Sequence, residues 1–409
     1  MKVKQLKALL TLMSLVFDKK APLPILENLL LVPGKIGVSN LDSFLWVEFD
    51  HDISDGYLPF ERFKKLIGSS DPNDVIGFDS NLEKSHIYVK INGKIEAKYF
   101  FEPVEDFPVF PGKTDSLPFG KIERGVIQAL QEAIPFTSRD EFRPVLNHVC
   151  IEEYVVSTDG ATLHFKKLDK PFQLLDINAK KLIPHSSSGS CSIAEKEDAI
   201  AILLSKQTVQ FLHRSNLEFE SSIEIPRGEE AGLSIIGNRP FVEFRSNGIS
   251  FHQKLPDEVF PEWRRVIPEL ENREHYRWTV PKSLFEKGIK QASVQANQSN
   301  YAVSFKAEKD GVVIRSEDAE YRTAFHKKIA CCPLKITPEL GTDPTEDLPN
   351  MREPIPESGF EIGFNAQLLI KVLKQVQSNE IRFECAASNQ AAILNGEYLV
   401  MPLLLQNVS

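Results

Sequence analysis

The sequence predicts an α+β chain in which two amphipathic helices and a set of short antiparallel strands recur. Three observations carry that reading. Short apolar runs are joined by the dipeptide Asn-Gly at 92–93, 247–248 and 395–396, the strongest local sign of a β-hairpin. Between such runs lie segments whose apolar residues return at helical spacing. The chain also echoes itself. Pro24-Ile25-Leu26 followed by Val38-Ser39 returns as Pro144-Val145-Leu146 followed by Val156-Ser157, and Pro103-x-Glu105-x-Phe107-Pro108 returns 153 positions later as Pro256-x-Glu258-x-Phe260-Pro261. A repeat of that period has the size of a domain. In 409 residues of ordinary globular composition it predicts three domains, at 1–118, 119–269 and 270–409.

The first repeat opens with MKVKQLKALLTLMSLVF. Leu6, Leu9, Leu10 and Met13 share one helical face, Lys4, Lys7, Thr11 and Ser14 the other, and no small-residue cleavage site follows, so an amphipathic helix is expected rather than a signal peptide. Strand-like LPILENLLLV and FLWVEF come next. A helix over 60–67 follows Pro59, and a hairpin turns at Asn92-Gly93. The second repeat opens with a helix over 124–134. Strands at 145–151 and 154–157 follow, then the turn Thr158-Asp159-Gly160, a polar loop around 185–190, a helix from the cap Ser205 to about 214, and a hairpin at Asn247-Gly248. The third has a helix over 283–292, strands at 302–305 and 312–314, and a Pro/Glu/Thr-rich loop over 333–357. A helix over 364–376 and two strands about Asn395-Gly396, the last at 398–403, complete it.

Several function classes drop out. No run is long enough to span a membrane. Five cysteines, an odd number without a C-x-x-C pair, fit a reducing cytoplasm, and nine scattered histidines lack the spacing of a metal site, so neither metal nor cofactor is expected. Charge is more informative. The chain carries 48 Lys+Arg against 57 Asp+Glu, yet the six expected helices (1–16, 59–67, 121–136, 205–214, 281–293 and 364–376) hold 15 basic and 4 acidic residues. Helices lining one surface would therefore attract a polyanion that the rest of the protein repels. Lysines also simply suit a solvated helix face.

Two stretches bring a resemblance. Thr137-Ser138-x-Asp140-Glu141-x-Arg143-Pro144-Val145-Leu146-Asn147 with Ser157-Thr158-Asp159-Gly160-x-x-Leu163, and Phe260-Pro261-x-x-Arg264-Arg265-Val266-Ile267-Pro268, resemble the bacterial DNA polymerase sliding clamp, the beta subunit of the replicative polymerase. Glu361-Ile362-Gly363-Phe364-Asn365 and Tyr398-Leu399-Val400-Met401-Pro402-Leu403 do so too, in the same order along nearly the whole chain.

The resemblance implies three similar domains per subunit and a homodimeric ring around duplex DNA, with basic helices facing the hole. It implies no catalysis, since a clamp works by topology through sequence-blind phosphate contacts. Its implied partners are the replicative polymerase, the clamp loader and repair proteins, tethered at high effective concentration. By motif, the partner-peptide pocket falls on Leu146, Thr158, Gly160, Ala161, Thr162, Leu163, Pro261, Arg265, Val266, Leu399, Val400, Met401, Pro402, Leu403 and Leu405. Any one of the aliphatic members taken singly is more often plain core. Expected phosphate contacts are Lys20 and Arg139 on loops, with Lys4, Lys7, Lys64, Lys206, Lys290 and Lys371 on helices.

The chain departs from the family at Ala161-Thr162, where a bulky His-Arg pair is usual, and at Leu404, where arginine is common. Its tail also continues from Gln406 to Ser409, and with the two inserted loops these departures suggest a divergent clamp, with a chromosomal and a phage or mobile-element source both left open. Two other readings compete. Val155-Val156-Ser157-Thr158-Asp159-Gly160 resembles the D-x-D-G motif of aspartate-nucleophile phosphohydrolases, but Ser157 stands where the nucleophilic carboxylate must be. A clamp-like scaffold that binds peptides without encircling DNA would differ by being monomeric.

Overall fold

A computed structural model describes residues 2–19, 21–51, 56–81, 86–100, 107, 114–169, 195–196, 199–226, 240–271, 273–337, 351–355 and 359–404. Among the described residues the α-helices are α1 (Val3–Met13), α2 (Phe60–Ser69), α3 (Arg124–Ala133), α4 (Lys206–Ser215), α5 (Lys282–Gln295) and α6 (Ala366–Gln375). They pack as neighbours α1 with α2, α3 with α4 and α5 with α6, so the helix pair recurs three times. Each buries one stripe. In α1 it is Val3, Leu6, Leu10 and Met13, and in α2 it is Phe60, Phe63 and Ile67, three or four residues apart as a helix facing a core requires. Pro59 closes the strand Gly56–Pro59 and serves as the N-cap of α2.

The chain divides into two compact units. The first comprises Met1–Ile134, His148–Tyr154 and Leu168–Phe260. Its main sheet is antiparallel, in the order Gly56–Pro59, Asn28–Val32, Lys35–Ser39, Ser43–Glu48, Ile249–Lys254, Phe241–Ser246, Phe219–Pro226, Thr114–Ile122. Strands from the first and second expected domains meet in its middle, where Leu45 lies opposite Phe251. The expected boundary at 118 falls inside the strand Thr114–Ile122, which pairs with Phe219–Pro226. A smaller sheet holds Ile76–Asn81, His86–Ile91 and Lys94–Phe100.

The second unit comprises Pro135–Asn147, Val155–Lys167 and Pro261–Ser409. Its longer run of strands is Tyr154–Thr158, Thr162–Lys167, Tyr398–Val400, Ala392–Leu394, Glu380–Cys385, His275–Pro281, Leu334–Thr337, Met351–Pro354. A four-stranded sheet is formed by Thr323–Ala330, Gly311–Asp318, Ala302–Glu308 and Phe360–Asn365. Helices and sheets close over one core in which Trp278 stacks on Phe383 at 4.5 Å and Phe285, Phe305 and Phe364 surround them. Each fully buried ring contributes on the order of 2–3 kcal/mol of hydrophobic stabilisation.

The Asn-Gly turns at 92–93, 247–248 and 395–396 all have positive φ at both residues, the geometry whose twist matches a two-residue hairpin. The echo between 24–26 and 144–146 is structural as well: Pro24–Glu27 and Pro144–Asn147 are both 3-10 turns leading into strands. This corrects two expectations, since the strands begin at Asn28 and His148 rather than at Leu23 and Val145. The imino ring sets φ for a turn and has no N–H to give a ladder. The loop expected over 333–357 is also corrected, because its ends pair as Leu334–Thr337 with Met351–Pro354. The last strand stops at Val400, and 364–365 belong to the strand before α6. The polar loop at 185–190 and the Pro103 to Glu105 half of the repeat lie outside the described residues.

Candidate partner-binding site

Every described residue expected in the peptide pocket falls in the second unit, in which a bonded turn follows the strand Tyr154–Thr158. Asp159 Oδ1 accepts the Ala161 N–H at 3.0 Å, the Thr162 N–H at 2.7 Å and the Thr162 hydroxyl at 3.0 Å. Thr158 Oγ1 accepts the Gly160 N–H and donates to the Thr162 carbonyl. Gly160 sits at φ +90°, where a Cβ is strained, and the Arg143 guanidinium would be 3.3 Å from one. A short Asp-Gly turn thus becomes a rigid bracket, as an aspartate that bonds its own backbone two and three residues on is suited to make.

From this turn the strand Thr162–Lys167 pairs with Tyr398–Val400, Thr162 opposite Val400 and Leu163 opposite Leu399. The Met401 N–H donates to the Ala161 carbonyl at 2.9 Å, and two residues on the Leu403 N–H donates to the Gly363 carbonyl at 2.8 Å. Pro402 lies between them and has no N–H to offer, so the chain leaves one strand for another there. Phe165 lies 5.8 Å from Trp263, which brings the 3-10 turn Trp263–Val266 beside the same strand. Leu146 is held by its carbonyl, which accepts the Ser138 N–H.

The expected residues separate by exposure. Leu146, Thr162, Leu163, Leu399 and Val400 are buried. They form a floor, so the core reading holds for their side chains. Met401 is 40% exposed and Val266 48%, Gly160, Pro261 and Arg265 are exposed too, and Leu404, outside the expected set, is 77% exposed. Thr158, Ala161, Pro402 and Leu403 are intermediate, and Leu405 lies outside the described residues. Arg265 is paired with Glu262. Adaptable Met401 beside branched and cyclic apolar groups suits the apolar anchor of a peptide.

Sequence reasoning missed what fastens the bracket. Lys371 on α6 donates to Asp159 Oδ2 at 2.6 Å and to Thr162 Oγ1 at 3.1 Å, and its ammonium lies 5.2 Å from the centre of the Phe136 ring. Burial alone would raise the Asp159 carboxyl, but the Lys371 ammonium and the Thr162 and Ala161 N–H groups outweigh it and hold its pKa below the usual 3.8. No local pattern links residues 212 positions apart. With both oxygens engaged, Asp159 is placed to hold a turn rather than to carry a proton, and Ser157 is fully buried in its strand.

Lys371, expected as a phosphate contact, is thus engaged with Asp159 and Thr162. Among the others, Lys7 donates to the Ser70 carbonyl, Lys64 to the Ser14 hydroxyl between α2 and the end of α1, and Lys290 pairs with Glu286. Lys206 is half-buried. Lys4 and Arg139 are exposed, and Lys20 lies outside the described residues. Exposed Arg62, Lys65, Lys287 and Lys374 also lie on helices α2, α5 and α6, a signal already present in the helix charge. Among the described residues no helix is long and apolar enough to cross a membrane, and no group of three or more His, Cys, Asp or Glu is placed to hold a metal.

No protein-family model matches the chain. It is similar to a Beta sliding clamp of Pseudomonas putida, 21% identical with 97% of this chain and 96% of the relative covered, and to one of Pseudomonas aeruginosa, 23% identical with the same coverage. Among solved structures, a DNA polymerase sliding clamp from Pseudomonas aeruginosa with ligand superposes with a TM-score of 0.72 at 17% identity, covering 99% of both chains. A sliding clamp from Bartonella birtlesii bound to griselimycin does so at 0.70 and 18% identity, also over 99% of both.

Proposed function

We propose, for a chain that has the sliding-clamp fold from end to end, that it works as a sliding clamp: a processivity factor that encircles duplex DNA and tethers the replicative polymerase. The observation that carries this is the likeness to clamps over 97–99% of the chain, with three helix pairs among the described residues. Two copies close the ring, and each copy contributes the repeats 1–118, 119–269 and 270–409. The surplus of 15 basic over 4 acidic residues on the expected helices supports a DNA-facing surface in a chain of net charge −9. Phosphate contacts are sequence-blind and let the ring slide, with Lys4 and Arg139 as exposed candidates. The clamp loader, the polymerase and repair proteins dock short apolar peptides at the surface built on the 158–163 turn, the Pro261 to Val266 segment and Met401. Activity is topological rather than catalytic and is exerted in the cytoplasm.

The test is retention on a nicked circular duplex after loading by the cognate clamp loader. Protein that stays on the circle and leaves when one cut linearises it supports the reading, as does a solution mass twice 46.2 kDa. Equal retention before and after the cut, or a monomer at micromolar concentration, overturns it.

A further inference from the structure

We infer that Lys371 is a positioning residue for the peptide surface, the anchor by which helix α6 sets the shape of the 158–163 turn and, through it, the place of Met401. The inference rests on the peptide-docking reading of that surface. Lys371 is only 25% exposed, flanked on its helix by the buried Leu369, Val372 and Leu373. Its ammonium therefore has a fixed place, set by a helix rather than by a loop. There it donates to a carboxylate oxygen and a hydroxyl and lies 5.2 Å from the centre of an aromatic face. A lysine so engaged is placed to act through its neighbours.

The path of action is a chain of bonds. Lys371 holds Asp159 Oδ2, and Asp159 Oδ1 holds the Ala161 and Thr162 N–H groups. The carbonyl of Ala161 then accepts the N–H of Met401. The local bonds of Thr158 and Asp159 shape the turn, and the ion pair, with the Thr162 hydroxyl between its two halves, ties that turn to α6. Without the ammonium, Asp159 would be a shielded carboxylate with nothing opposite it. Such a group turns toward water and takes the turn with it.

Three variants and two readouts test this. Lys371→Met keeps the apolar stem and removes the charge, Lys371→Arg keeps the charge, and D159N/K371M removes both halves of the pair. The readouts are calorimetry with a synthetic polymerase-derived peptide, and amide hydrogen exchange at Ala161, Thr162 and Met401 in the full chain. Lys371→Met is expected to weaken the peptide about tenfold and to speed exchange at all three amides, with Lys371→Arg recovering most of both. D159N/K371M is expected to stay weak, because the turn has lost its tie to α6. Exchange that remains at the unsubstituted rate, or a double variant that regains full affinity, overturns the inference even where the peptide still binds. A peptide that the unsubstituted protein ignores, while exchange rises in Lys371→Met, instead overturns the peptide reading and leaves Lys371 as the anchor of the turn.

Discussion

Asp159 joins local turn chemistry to a distant helix, and its ionisation is open to measurement. Its folded-state carboxyl lies below the ordinary 3.8 because the Lys371 ammonium and two backbone N–H groups favour the charged form more than burial disfavours it. A carboxylate depressed in this way stabilises the fold above its unfolded value, and the contribution is lost as pH falls through the folded value. The stability gap between the protein and Asp159→Asn should therefore be constant above about pH 5 and close on further acidification. Urea melts across that range would show it, and a gap that widens toward acid would contradict the ion pair. Met401 and Pro402 make the complementary case at the rim. Met401→Ala with Pro402→Ala should weaken a polymerase-derived peptide by about 1–3 kcal/mol, the range for hot-spot truncations, while the thermal melt stays nearly unchanged. Both residues lie outside the buried floor, so binding and folding separate there.

Helix ends and hairpin turns were the most legible elements. Ser205 is readable as a cap from sequence, and in the structure its hydroxyl accepts the Thr208 N–H at 3.1 Å at the start of α4. Ser205→Ala should cost about 1 kcal/mol of stability, read as a lower denaturant midpoint at an unchanged slope. Asn365 caps α6 in the same manner, taking the N–H groups of Gln367 and Leu368, although the sequence reads as helix from Phe364. The prolines at 24 and 144 misled in the opposite sense. An apolar run after proline reads as strand, yet both segments wind into a 3-10 turn before the ladder begins. Strand pairing set the remaining differences. Leu334–Thr337 and Met351–Pro354 find each other across a Pro/Glu/Thr-rich segment, a partnership no local pattern announces.

At the scale of the whole molecule, an acidic chain with basic helices should bind linear duplex weakly and lose that binding steeply with salt. For 6–10 phosphate contacts affinity falls by roughly 10³–10⁵ between 50 and 200 mM salt. Filter binding over that range is the check, and tight, sequence-specific binding at physiological salt would contradict the clamp reading. What the sequence by itself determined is whatever is encoded within a few residues: helical stripes, Asn-Gly hairpins, caps, the charge of the helices and the repeat that shaped the three-domain expectation. Tertiary structure decided which of those pieces work together. It set Leu45 opposite Phe251, so that strands of two expected domains share one sheet. It sorted the expected pocket into the buried floor of Leu146, Leu163, Leu399 and Val400 and the exposed Met401 and Val266, because burial depends on what lies across the sheet rather than on residue type. And it turned Lys371 from a solvated helix lysine into the partner of Asp159, since only folding brings an ammonium and a carboxylate 212 positions apart to within 2.6 Å.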